Sequence, residues 1–91
     1  MIAPISINLK MFFVYILHSL QNGRYYVGSC ENVKERVRQH NARLVKSTKS
    51  YVPWELIYRE KYLTLSEARR REFQIKGWKK RSSIERLIKH F

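Results

Sequence analysis

"MFFVYILHSLQNGRYYVGSC", residues 11–30, is the stretch that decides the fold. Its first half, "MFFVYILH", is dense in β-branched and aromatic residues and apolar on both alternating faces, the pattern of a strand covered on both sides. It reads as the central strand of a small sheet. "SLQNGR" then places Asn22-Gly23, two residues that tolerate positive φ, where a hairpin turn needs them, and "RYYVG" reads as the returning strand. Paired residues of an antiparallel hairpin have indices of constant sum. For any loop of even length that sum is odd, so Tyr15 and Tyr26 fall on the same face. A strict two-residue turn at Asn22-Gly23 would pair Tyr26 with Ser19, roughly 13 Å along the strand from Tyr15. Only a wider loop brings the two tyrosines together.

Downstream, Asn32 followed by Glu35 is a capping-box-like pair for a first helix, whose stripe is expected to run Val33, Val37, His40 and Leu44. "NARLVKSTKSYVP" is a basic, polar loop, and Pro53 sets its exit into a third strand, "WELIYREKY". Thr64 and Glu67 repeat the capping pair before a second helix, with Gly77 as its stop. Ser82 and Glu85 repeat it again before a short final helix, "IERLIKHF". The element order is β-β-α-β-α-α, an α/β (α+β) class fold with a small three-stranded antiparallel sheet flanked by helices. The expected organisation is an N-terminal extension at residues 1–10, with Met11 an alternative start, and one domain at 11–91.

A chain of 91 residues holds one modest core, and its 44% apolar content suffices to build it. Nineteen Lys and Arg against seven Asp and Glu give a formal charge of +12, which points to a polyanionic partner, nucleic acid first. The longest apolar run, "MFFVYIL", is strand-length, so no segment spans a bilayer and no membrane partner is expected. "MIAPISINLK" lacks the parts of a secretory signal. A single cysteine, Cys30, makes neither an internal disulfide nor a Cys-rich zinc site, and reads as a small residue at a strand-to-helix junction. Together these lead to the expectation of a cytoplasmic protein, a monomer or weak dimer.

Chemistry-bearing residues fall into three groups. Arg36 and His40 are spaced i, i+4 on the first helix, and His40 lies within the stripe that faces the sheet. Arg suits bidentate phosphate contact and His moves protons near neutral pH. Taken singly, each has a bland reading, and so do Tyr15 and Tyr26 as packing aromatics. At 100° per residue, Leu65, Ala68, Glu72 and Ile75 share one arc of the second helix, opposite Glu67, Arg70 and Gln74, so Glu72 should face the core. A carboxylate there needs a cation: either an internal partner such as Arg36, or a divalent metal that keeps several waters. Basic side chains form the third group. Lys34 lies on the first helix and Arg43, Lys46 and Lys49 towards its end and beyond, while Arg69, Arg70, Arg71, Lys76, Lys79, Lys80 and Arg81 lie on and after the second, placed for sequence-independent phosphate contact.

With these residues assembled, the chain from Met11 to its end resembles the GIY-YIG endonuclease superfamily, most closely its small stand-alone bacterial members. Phe13-Val14-Tyr15 stands for Gly-Ile-Tyr and Tyr26-Val27-Gly28 for Tyr-Ile-Gly. "NVKERVRQHN" is similar to the helix carrying the family's Arg and its His or Tyr, and "SEARRREFQIKGW" to the segment carrying its metal-binding Glu. The resemblance implies a metal-dependent endonuclease hydrolysing DNA phosphodiester bonds, in DNA repair or recombination, on branched or damaged DNA or on RNA. Tyr15 or Tyr26 would help activate water, with cations needed to lower the phenol's pKa. Arg36 would hold the scissile phosphate, His40 would assist positioning or proton transfer, and Glu72 would bind one Mg2+ or Mn2+. Phe13 departs from the first glycine, and no asparagine follows Glu72. The competing readings are a non-catalytic nucleic-acid-binding module on the same scaffold and a basic RNA- or ribosome-associated protein.

Overall fold

The strand Phe12–Ser19, here β1, lies at the centre of a three-stranded sheet of order β2-β1-β3, with β2 at Tyr25–Cys30 and β3 at Trp54–Tyr62. Both neighbours run antiparallel to it. Val14, Ile16 and Leu17 are fully buried, as a strand apolar on both faces must be, and burying an aliphatic side chain of this size contributes about 1.5–3 kcal/mol. Helices α1 (Val33–Asn41), α2 (Leu65–Lys76) and α3 (Arg81–Lys89) complete the β-β-α-β-α-α order, with a 3-10 turn at Lys49–Tyr51. The computed structural model describes residues 10–89. All of the expected N-terminal extension except Lys10 therefore lies outside the described residues, as do His90 and Phe91. Among the described residues no helix is long and apolar enough to cross a membrane.

The hairpin loop is the wider one. Leu17 pairs with Tyr26 and Tyr15 with Gly28, and Ser19 N–H donates to Arg24 C=O at 2.8 Å, so residues 20–23 form the turn. Gly23 supplies the positive φ, 78°. Ser19 stabilises the turn from within, its Oγ accepting from the N–H groups of Gln21 and Asn22.

Alternation along β1 divides the core in two. Val14 and Ile16, with Val27, Tyr58, Ala68 and Ile75, pack beneath α2, and Ile84, Leu87 and Ile88 of α3 join them. Tyr15 and Leu17, with Val33 and Trp54, pack on the opposite face beneath α1.

Two of the three predicted caps are present: Asn32 accepts from Glu35 N–H and Thr64 from Glu67 N–H. Two expectations give way. α1 ends at Asn41, because Leu44 N–H donates to Gln39 C=O and Arg43 N–H to His40 C=O, a Schellman closure that puts Arg43 at φ 64°. Leu44 is thereby turned out of the stripe and is 66% exposed. α3 begins at Arg81, so Ser82 lies inside the helix and Glu85 pairs with Arg81. Gly77 ends α2 as expected, at φ −73°.

Candidate active site

Tyr15 is placed by the strand and shaped by a glycine. Its ring lies across Gly28, the residue paired with it on β2, and a Cβ there would sit 2.5 Å from the Tyr15 hydroxyl. The glycine of Tyr26-Val27-Gly28 therefore leaves the space that the first tyrosine fills. Tyr26 lies diagonal to Tyr15 on the same face, ring centroids 6.2 Å apart, and is half-buried where Tyr15 is buried.

His40 closes the group from above. The last turn of α1 brings its ring edge-on to Tyr26 at 4.9 Å, and its Nε2 lies 2.9 Å from the Tyr15 hydroxyl. On the other side Nδ1 lies 2.7 Å from Thr48 Oγ1. Burial first, and the Arg36 charge second, push His40 down to about 4, so near neutral pH it is an uncharged imidazole. Arg36, half-buried, faces the Tyr15 hydroxyl and donates to Gln39 Oε1 at 2.9 Å.

The Tyr15 phenol behaves opposite to a simple cation-activated base. Burial pushes its pKa well above the ordinary value, and Arg36 only partly offsets this. Tyr15 therefore rests as a protonated hydroxyl, and any proton it takes must be matched by one it gives up.

Glu72 faces the sheet, as the helical arc of Ala68 and Ile75 requires, but from the other side. Its Oε1 accepts from Ser29 Oγ at 2.6 Å, and Ser29 pairs with Val14 on the α2 face. Its cation is Lys76, 2.5 Å from Oε2, and not Arg36. Lys76 also reaches to 5.9 Å from the Tyr26 ring centroid, which joins the two faces around the β2 edge. Among the described residues no group of three or more His, Cys, Asp or Glu forms a metal cage. The donor set at Glu72 is one carboxylate, 15% exposed, oriented by Ser29 and already balanced by a positive group. That fits an ion that keeps most of its waters and completes its shell with phosphate oxygens.

The expected phosphate contacts separate into two classes. Lys34, Arg43, Lys46, Lys49, Arg69, Arg70, Lys79 and Lys80 are exposed. Arg71, by contrast, is spent internally: it grips the Glu60 carboxylate, which also accepts from the Tyr58 and Tyr62 hydroxyls. Arg81 donates to Gly23 C=O at 2.8 Å and pairs with Glu85, tying α3 to the hairpin. Lys76 belongs to the Glu72 site.

Three contributing residues gave no sequence signal. Thr48 sits in a polar loop yet is 1% exposed against His40. Ser29 lies one residue beyond the glycine and orients Glu72. Asn41 accepts from Trp54 N–H at 2.7 Å and donates to Trp54 C=O at 3.0 Å, clamping the end of α1 to β3.

Comparison with known proteins agrees with this arrangement. The profile of the GIY-YIG catalytic domain matches residues 11–86. A UPF0213 protein of Staphylococcus aureus is 41% identical over 78 residues, 85% of this chain and 93% of its own length. One from Staphylococcus epidermidis is 38% identical over 76 residues, 82% of this chain and 92% of its own. The solution NMR structure of a UPF0213 protein from Bacillus halodurans superposes with a TM-score of 0.55 at 28% identity, covering 87% of this chain and 83% of that one. With a domain match that takes in both tyrosine motifs, Arg36, His40 and Glu72, the chain belongs to the GIY-YIG family.

Proposed function

We propose that the protein is an endonuclease that hydrolyses DNA phosphodiester bonds, with one Mg2+ or Mn2+ held at Glu72. The observation that carries this reading is the convergence of Tyr15, Tyr26, Arg36 and His40 from three separate elements on one face of the sheet. A packing core would not gather a guanidinium, an imidazole and two phenols there.

Tyr26 and Arg36 are half-buried and so meet substrate first, while Tyr15 and His40 lie behind them. Arg36 binds a non-bridging phosphate oxygen and offsets charge developing at phosphorus. The attacking water gives its proton to the Tyr15 oxygen as Tyr15 passes its own to His40 Nε2, so the costly phenolate never accumulates. The bound phosphate diester neutralises Arg36, removing one of the two causes that depress His40 and raising its basicity when substrate is present. A divalent ion at Glu72 would neutralise phosphate charge and stabilise the leaving oxygen. Lys76 would release the carboxylate to admit it. The exposed cations on α1, α2 and the intervening loop supply the contacts that position a nucleic-acid backbone.

The test is nicking of supercoiled plasmid by purified protein with Mg2+ or Mn2+, with EDTA as control. Loss of supercoiled DNA that is metal-dependent and abolished by Glu72→Gln supports the reading. Tight binding without nicking in either metal overturns it and leaves a binding module on a nuclease scaffold.

A further inference from the structure

We propose that Thr48 is a positioning residue that fixes the tautomer of His40, holding the ring proton on Nδ1 so that Nε2 faces Tyr15 as an acceptor. The inference rests on the hydrolase reading for its consequence in catalysis, but its structural half stands on hydrogen-bond accounting alone.

The accounting starts at Tyr15. Its buried hydroxyl carries a proton that needs an acceptor. Arg36, which faces it, has only donors, so the acceptor is His40 Nε2, 2.9 Å away. An imidazole that is uncharged and accepts at Nε2 must carry its proton on Nδ1. That proton then needs an acceptor of its own, and Thr48 Oγ1 lies 2.7 Å from Nδ1. Thr48 in turn directs its hydroxyl proton at Val45 C=O, 3.4 Å away. The chain Tyr15 to His40 to Thr48 to Val45 runs in one direction, the first three members each donating once and the Val45 carbonyl accepting. Reversing it would aim two donors, Arg36 and His40, at the Tyr15 oxygen and strand the phenolic proton.

Thr48 is held firmly enough for this role. It is 1% exposed, its N–H donates to Val45 C=O, and its C=O accepts from Trp54 Nε1 at 3.0 Å. The loop of basic residues after α1 thus buries one side chain, and that side chain touches the imidazole. The groups facing His40 are Tyr15 from β1, Tyr26 from β2, Arg36 from its own helix and Thr48 from the loop. Tyr15 and Thr48 each engage one ring nitrogen, and of the two Thr48 takes no part in the proton transfer.

The experiment reads the tautomer directly, by long-range 1H–15N correlation of 15N-histidine-labelled protein without nucleic acid, in wild type, Thr48→Ser and Thr48→Val. Expected are a protonated Nδ1 and bare Nε2 in wild type and Thr48→Ser, and loss of that pattern in Thr48→Val. In nicking assays Thr48→Val should slow the reaction by roughly tenfold to a hundredfold and displace the acid limb of the pH–rate profile, with Thr48→Ser close to wild type. A proton on Nε2 in wild type, or an unchanged tautomer in Thr48→Val, overturns the proposal. Should Thr48→Val not fold, the wild-type spectrum and the serine variant still decide it. If the tautomer is as stated but wild type never nicks, the hydrolase reading fails while the assignment of Thr48 stands.

Discussion

The Tyr15 hydroxyl and His40 Nε2 lie 2.9 Å apart although 25 residues separate them in the chain. One is the ring that fills the space above Gly28; the other is the last inward-facing residue of α1. Tyr15→Phe keeps the ring and removes only the proton path. It should reduce nicking about a hundredfold or more while leaving far-UV CD unchanged, at a stability cost of about 1–3 kcal/mol for the unsatisfied imidazole. Nicking at the wild-type rate by this variant would remove Tyr15 from the chemistry.

Gly28→Ala is a second route to the same residue. The new methyl would sit 2.5 Å from the Tyr15 hydroxyl and 2.6 Å from Cζ, so the ring must leave His40. Destabilisation of about 1–3 kcal/mol is expected, together with loss of activity beyond what the stability change explains. Urea denaturation and nicking at a temperature where the variant is folded separate the two effects.

Acid should unfold the protein in two stages. His40 is neutral in the fold, held down to about 4 against an ordinary value near 6.5, so protons favour the unfolded chain. Its contribution, about 3 kcal/mol, is present above pH 6.5 and is lost as pH falls towards 4. For Glu60, burial alone would raise the carboxyl, but Arg71 and the Tyr58 and Tyr62 hydroxyls more than offset it and the net shift is downward. Its stabilising share is present above the ordinary carboxylate value and fades below it. Thermal melts from pH 7 to 3 should show His40→Gln flattening the upper part of the curve and Glu60→Gln the lower.

Arg43 holds φ 64° at the end of α1, a conformation that costs a side-chain-bearing residue about 1 kcal/mol. Arg43→Gly should therefore stabilise the fold by about that amount, a rise of roughly 4–8 °C in Tm. Because the variant also removes an exposed cation, its affinity for DNA should drop. A variant that is both less stable and equally tight in binding would contradict both halves.

Neighbouring arginines on α2 should behave differently. Arg69→Ala and Arg70→Ala remove exposed cations, and each should reduce the slope of log affinity against log salt by about 0.9 with little change in stability. Arg71→Ala should leave that slope unchanged and destabilise the protein, since it strips the cation from Glu60. Titrations of labelled duplex between about 50 and 200 mM salt distinguish them.

Much of this arrangement was legible in the residues. Asn32 with Glu35 and Thr64 with Glu67 announced their helices because a cap is a local contact three residues long. The shared face of Tyr15 and Tyr26 followed from parity alone, and a wider loop was the condition for their contact. What sequence could not show is where the chain leaves a periodic path. The Schellman turn at Arg43 has no glycine to advertise it, so Leu44 looked like a continuation of the stripe. Thr48 reaches His40 from beyond that turn, eight positions along the chain, where no helical period predicts a contact. Glu72 was rightly placed facing the sheet, but a helical arc does not say which face of the sheet it meets, and its partner proved to be Lys76, one turn along its own helix.

The Asn41 clamp has a meaning beyond fixing α1. β3 is an edge strand of nine residues, and an open edge invites pairing with another chain. By bonding both N–H and C=O of Trp54, the Asn41 carboxamide imitates one residue of a fourth strand. An approaching chain that tried to zip along β3 would find the first rung already taken.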